Sequence, residues 1–225
     1  VHALRLDPAG TTVWLSAADT LTSPWQSLDG IRWRRPGAGA GSGSAGASEQ
    51  AQAESASACL VRVGADPDDQ PVFVDLSRLD GVLSVTGDPA VARDVVQNLL
   101  AEIARTRPNT PVTVLTSANS PARLTLPAGL AEITRVPLPE TGDHHPRGTV
   151  RGGAARTPVR GLVVMAGSPT AREAAELVAL CGSTGAGWTG LVAGAVDGGA
   201  HWRWHTDPDG RLEIPVLGLE LTVPA

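Results

Sequence analysis

No lysine occurs in this chain; all 18 of its basic residues are arginine. That absence excludes chemistry that needs a side-chain amine: Schiff bases and pyridoxal catalysis, biotinyl or lipoyl carriers, and the lysine of a P-loop. Tyrosine is missing too, and methionine and phenylalanine occur once each, as Met165 and Phe73. Charged residues make up only 18% of the chain, against roughly 25% in ordinary domains. A formal net charge of −5 does not supply the clustered cations with which a nucleic-acid binder releases counterions, so no direct nucleic-acid contact is expected. No apolar run approaches the roughly 18–20 residues of a membrane span. The two cysteines, Cys59 and Cys181, lie far apart and form no motif. They read as buried thiols of a reducing, cytoplasmic compartment. The opening Val1-His2-Ala3-Leu4-Arg5 has no basic region leading into an apolar stretch, so it is not expected to be a secretory signal. A first residue other than methionine suggests a processed chain or an excerpt of a longer one.

What is present suits an α/β protein. The 225 residues allow one large domain, or one domain with a small appendage. Residues 1–35 carry strand signals around Leu4 and Leu6, Thr12–Leu15 and Ile31–Arg34, a small N-terminal β element. Residues 36–58 hold Gly, Ala, Ser, Gln and Glu with no large apolar side chain, the composition of a disordered linker. From Cys59 the main unit, 59–225, begins. Leu60–Val63 and Val72–Val74 suggest a hairpin about the turn Asp66–Gln70, and Gly81–Thr86 a further strand. A helix is expected over 89–107, with Val91, Val95, Leu99 and Ile103 at helical spacing, Asp88 as N-cap and Pro89 at the first position. Pro111–Leu115 reads as the strand after a crossover, completing a βαβ unit. Weaker β signals follow over 121–138, then a polar, flexible loop over 139–160. Gly161–Gly167 is a continuous apolar strand, and Ser168-Pro169 is expected to cap a second helix at 170–182. Trp188–Ala193 is another strand, His201–Thr206 and Arg211–Pro215 a hairpin, and Leu217–Val223 a half-buried edge strand. Two helices and some ten strands predict an α/β sheet with β additions.

The segment Gly87-Asp88-Pro89-Ala90-Val91-Ala92-Arg93-Asp94 sits where a Walker A loop would. Gly87 matches the first glycine of that motif. Ala92 replaces the second glycine, Arg93 the lysine and Asp94 the magnesium-binding hydroxyl. Pro89 has no N–H to offer a phosphate, and Asp88 puts a carboxylate where the phosphate would sit. Arginine is also no compact point charge. A Walker B strand would end in an acid, but Gly161–Met165 runs into Ala166-Gly167. No catalytic residue, metal or cofactor is therefore expected, and Gly87, Ala92, Arg93 and Asp94 read as a vestigial loop.

Pro71–Leu76, then Gly81–Gly87, then a long amphipathic helix resembles the entry to the ATPase core of FtsK-type translocases and type VII secretion ATPases. The closer similarity is to the degenerate ATPase-like middle segment of large actinobacterial regulators that carry membrane helices, a LysM module and a bacterial transcriptional activator domain. It is carried by Ala3-Leu4-Arg5, Pro24-Trp25, the Gly/Ala stretch 36–58 and Pro215–Leu219. The resemblance spans nearly the whole chain on loose, apolar motifs. It implies a degenerate P-loop-like fold and a non-catalytic regulatory or scaffold module within a longer, membrane-tethered polypeptide. Its partners would be other domains of that polypeptide or a separate protein.

Other constellations are weaker. Asp143-His144-His145 offers metal-type ligands without a supporting Cys or carboxylate cluster. Arg147, Arg151, Arg156 and Arg160 sit among Gly, Ala, Thr and Pro. On a strand, His201, Arg203 and His205 share one face and Trp202 and Trp204 the other; the first three read as a cationic outer face or a recognition strip for an anionic or aromatic partner. No G-x-S-x-G elbow occurs, and Ser168 reads as an N-cap. Two alternatives stay open: a nucleotide binder without hydrolysis that uses Arg93, and an unrecognised hydrolase, which needs a histidine within hydrogen-bond reach of a serine.

Overall fold

The computed structural model describes residues 1–37, 58–79, 81–117, 120, 122–134, 159–181, 188–198 and 200–224. Most of the linker and most of the 139–160 loop, with Asp143, His144, His145, Arg147, Arg151 and Arg156, lie outside the described residues, as does Val136. Among those described, the strands are β1 (Ala3–Asp7), β2 (Gly10–Trp14), β3 (Gln26–Asp29), β4 (Arg32–Pro36), β5 (Leu60–Ala65), β6 (Pro71–Asp75), β7 (Val82–Gly87), β8 (Pro111–Thr116), β9 (Ala131–Glu132), β10 (Gly161–Ala166), β11 (Trp188–Ala193), β12 (Ala200–Thr206), β13 (Arg211–Ile214) and β14 (Leu219–Thr222). Helix α1 is Pro89–Thr106 and α2 is Ala171–Cys181. The fold is mixed α/β, one large mixed sheet with two helices, in the order β3-β4-β2-β1-β6-β5-β14-β13-β12-β7-β11-β10-β8-β9.

The parallel part is β12-β7-β11-β10-β8-β9. Every residue of β10 and β11 is buried, as unbroken apolar strands between two covered faces should be. From β7 the chain crosses through α1 to β8, passing over β11 and β10; from β10 it crosses through α2 back to β11. The two crossovers step in opposite directions, and their helices pack on opposite faces, as a shared hand requires. On one face Leu83, Val85, Leu162, Val164 and Leu191 meet the α1 side chains Val95, Val96, Leu99, Leu100 and Ile103. On the other, Val82, Val163, Met165 and Val192 meet Ala174, Leu177 and Cys181 of α2. Each large α1 side chain here is almost fully buried, which contributes on the order of 1.5–3 kcal/mol apiece.

The second half of the sheet is antiparallel. β5 and β6 form the expected hairpin, and β1 pairs with β6 (Ala3↔Val74, Leu4↔Phe73), so the N-terminal β element extends the same sheet. The antiparallel half joins the parallel part through β12 and β13 (His205↔Glu213, Thr206↔Leu212), and within it β14 meets β5 at one residue pair, Thr222↔Ala65. Ala3 and Trp14 from the N-terminal half share a core with Trp204, Leu212 and α1.

Several expectations need correcting. Thr170, not Ser168, caps α2: its N–H donates to Glu173 Oε2 at 2.7 Å while its Oγ1 accepts from the Glu173 N–H at 3.3 Å, a capping box. Leu217–Val223 is not an edge strand. Pro215–Leu217 is a 3-10 turn, Gly218 is left-handed, and β14 lies between β13 and β5. Over 121–134 the described residues form strand only at Ala131–Glu132; Leu124 and Leu126 reach the core from irregular chain. β3 was not foreseen, because Gln26–Asp29 is wholly exposed and holds no β-branched residue.

Candidate functional site

In a sheet of this kind ligands enter beyond the carboxyl ends of the parallel strands. A cavity of about 310 Å³ lies there, at the ends of β7, β10 and β11. Among the described residues it is lined by Thr86, Gly87, Pro89, Ala92, Gly167, Ser168, Ala193, Gly194 and Ala195, none of them charged. Gly87 and Ala92 of the vestigial loop therefore reach the cavity. Arg93, half-buried, and Asp94, exposed, do not line it.

The loop after β7 is strapped to β12. The Asp88 N–H donates to the Thr206 carbonyl at 3.1 Å. The Thr206 hydroxyl donates to the carbonyls of Thr86 (2.9 Å) and Asp88 (3.3 Å). Gly87 has φ +101°, and a Cβ there would lie 1.9 Å from the Thr206 carbonyl oxygen. The glycine is thus required by a backbone contact. At the start of α1, Asp88 Oδ1 accepts from the N–H groups of Ala90 (2.9 Å) and Val91 (3.0 Å), and Pro89 has none. The donors that would hold an anion at a helix N-terminus are taken by the chain's own carboxylate. At α2 the Thr170–Glu173 box takes the N–H groups of those two residues.

The far wall is equally closed. The Gly167 N–H donates to the Ala193 carbonyl at 2.8 Å, and a Cβ on Gly194 would lie 2.5 Å from the Ser168 nitrogen. Ser84 Oγ donates to the Gly194 carbonyl at 2.7 Å, and Ser168 Oγ accepts from the Ala195 N–H at 3.0 Å. Ser168 is therefore a loop latch and not an N-cap. Strand β10 ends at Ala166, with Gly167 and Ser168 next, and brings no carboxylate to the cavity.

The β12 strip divides as its alternation predicts. Trp204 is fully buried and Trp202 packs half-buried against the core, while Arg203 and His205 face out. The strip is not purely cationic, because His205 is paired across to Glu213 and Glu213 to Glu220. These residues, with Asp207 and Arg211, line a second hollow of about 430 Å³. No group of three or more His, Cys, Asp or Glu among the described residues is placed to hold a metal ion. No helix among them is long and apolar enough to cross a membrane.

A serine–histidine pair escaped the sequence reading. His2 Nε2 lies 2.9 Å from Ser16 Oγ, brought there by the β1–β2 register, and the imidazole rests 5.7 Å from the Trp202 ring. The signal was the hairpin itself, which sets the residue before β1 near the residues after β2. Burial holds the His2 pKa below its ordinary value. No third member of a nucleophile triad stands beside it among the described residues, where His2 Nδ1 is buried without a hydrogen-bond partner. Neither hollow is lined by Ser16 or His2. Both cysteines are buried, and burial pushes the Cys59 thiol up to about 11 and that of Cys181 up to about 12, which is unreactive territory. No protein-family model matches the chain, and no curated protein matches it.

Proposed function

We propose that the chain is a non-catalytic, ATPase-like interaction or regulatory module of a larger polypeptide, with a degenerate P-loop-like arrangement of β7, loop and α1. One observation carries the reading: the Asp88 carboxylate occupies the α1 N-terminus beside a strand-end cavity that no cation among the described residues lines. A nucleotide site needs the opposite, free N–H donors and a cation for the phosphates. The alternative that uses Arg93 loses its anchor, since that side chain does not line the cavity. On this reading the partners are neighbouring domains or a second protein, and the work is done in the cytoplasm without a cofactor. Calorimetric titration with ATP, GTP and ADP, with and without magnesium, tests it. The expected result is no saturable heat and no thermal stabilisation at millimolar nucleotide. A dissociation constant below about 100 μM, roughly −5.5 kcal/mol, overturns it.

A further inference from the structure

The hollow of about 430 Å³ over β12, β13 and β14 differs from the strand-end cavity in being lined by charge. Strand alternation buries Leu212, Ile214, Leu219 and Leu221 and turns Arg211, Glu213, Glu220 and Thr222 outward. The register then sets His205 beside Glu213 and Glu213 beside Glu220, with Arg211 beside Thr222 one step along. Two carboxylates directly opposite on antiparallel strands repel, which costs stability unless a cation lies over them. The chain supplies none there. Arg211, Glu213 and Glu220 make no side-chain hydrogen bond or ion pair with another described residue, and Arg203, also exposed, does not line the hollow.

The walls are fixed from within the chain. Asp207 Oδ1 accepts from the N–H groups of Asp209 and Arg211, both at 2.9 Å, so that carboxylate belongs to its turn. On the other side Pro67 stands in the β5–β6 turn, where Asp66 Oδ1 accepts from the N–H groups of Asp68 (3.0 Å) and Gln70 (2.9 Å). Walls held this way need little reordering to take a ligand. The row His205, Glu213, Glu220 is not placed for a metal ion, so the cation that suits it is organic. Arg211 adds the opposite charge. It lies on the same face of β13 two residues from Glu213, about 7 Å along the strand.

We infer that this hollow binds a small dipolar ion, with an ammonium or guanidinium group at one end and a carboxylate at the other, as in a basic amino acid. The cation lies between Glu213 and Glu220. The carboxylate takes the Arg211 guanidinium, whose planar fork matches it. An extended arginine separates its side-chain cation from its carboxylate by a similar span. The volume of about 430 Å³ falls within the range of small-ligand sites. The inference goes beyond the interaction role proposed above and does not depend on it, since no residue lines both hollows.

The test titrates the full chain calorimetrically at low salt with three probes: Nα-acetyl-L-arginine, its C-terminal amide, which keeps the cation alone, and Nα-acetyl-L-glutamate. Acetyl-arginine is expected to bind saturably with a dissociation constant of about 0.1–5 mM, since exposed ion pairs are individually weak. The amide should bind at least about fivefold more weakly, and acetyl-glutamate not at all. Arg211→Gln should lower the affinity for acetyl-arginine at least about fivefold and leave that for the amide unchanged. Glu213→Gln with Glu220→Gln should abolish binding of both. All three side chains are exposed, so the circular dichroism of these variants should match that of the native chain. No saturable binding of acetyl-arginine up to about 20 mM, an amide that binds as well as the acid, or an unaffected double glutamine variant overturns the inference. The acid and amide compared on the native chain decide the point even where a variant fails to fold. A nucleotide site found by calorimetry would overturn the non-catalytic reading and leave this site standing, and failure of the arginine titration would leave the non-catalytic reading untouched.

Discussion

Replacing Gly87 with alanine separates two reasons for a glycine at the end of β7. If the residue is a relic of a phosphate loop, an added methyl group meets empty space and only the backbone conformation is penalised. The structure places that methyl 1.9 Å from the Thr206 carbonyl oxygen, at φ +101°. The left-handed backbone alone costs an alanine roughly 1–2 kcal/mol. Forcing β7 and β12 apart at that point adds about 1–3 kcal/mol, by analogy with overpacked cores. The expected loss is therefore about 2–5 kcal/mol, a large share of the roughly 5–15 kcal/mol that holds a domain together. Gly210→Ala is the control. Gly210 has φ +80° in the β12–β13 turn, but nothing lies within 4 Å of its added Cβ, so it should show the backbone cost alone. Urea unfolding followed by tryptophan fluorescence, with Trp14 and Trp204 buried in the core, gives both values. Equal losses for the two variants would refute the argument that the Thr206 contact dictates Gly87.

Three further outcomes are expected. Asp88→Ala should lower stability by about 1 kcal/mol through loss of the α1 cap, read as a shift in the urea midpoint. The native cysteines should resist a thiol reagent at mildly alkaline pH and react only in denaturant, since burial raises both thiols to about 11 and about 12; rapid native labelling of either would contradict the packing. For His2, burial disfavours the imidazolium first, then the amino terminus and Arg78 repel it, against the pull of Asp19 and Asp75. The folded pKa thus lies below the unfolded 6.5, so the unfolded chain binds more protons between the two values. The stability His2 contributes is complete above about 6.5 and is lost as pH falls through the folded value. The urea midpoint should drop more steeply below pH 6.5 for the native chain than for His2→Gln, and parallel profiles would refute the assignment.

Legibility in the sequence followed the range of the interactions. Asp88, Pro89 and the apolar spacing from Val95 to Ile103 announced α1, because cap and amphipathic face are both local. The Thr170–Glu173 box was equally local: a threonine three residues before a glutamate marks a helix start, and reading Ser168-Pro169 as the cap overlooked it. Strand β3 was invisible because Gln26–Asp29 gains its conformation only from pairing with β4. The missing lysine and acid of a phosphate site could be read from Arg93 and from Ala166-Gly167. That Arg93 stands outside the cavity could not.

Some features of this protein follow from the order of its residues alone. The unbroken apolar strand Gly161–Ala166 calls for a sheet covered on both faces, and the absence of lysine removes side-chain amine chemistry whatever the fold. Other features exist only because distant segments meet. Thr206 is 119 residues beyond Gly87, yet its carbonyl makes that position a glycine. β14 becomes an interior strand because Thr222 meets Ala65. Phe73, Leu4, Val13 and Trp33 become neighbours in one cross-strand row only through the register of four strands. No local pattern encodes such contacts, because each depends on the register of strands whose partners are chosen by burial of the whole sheet.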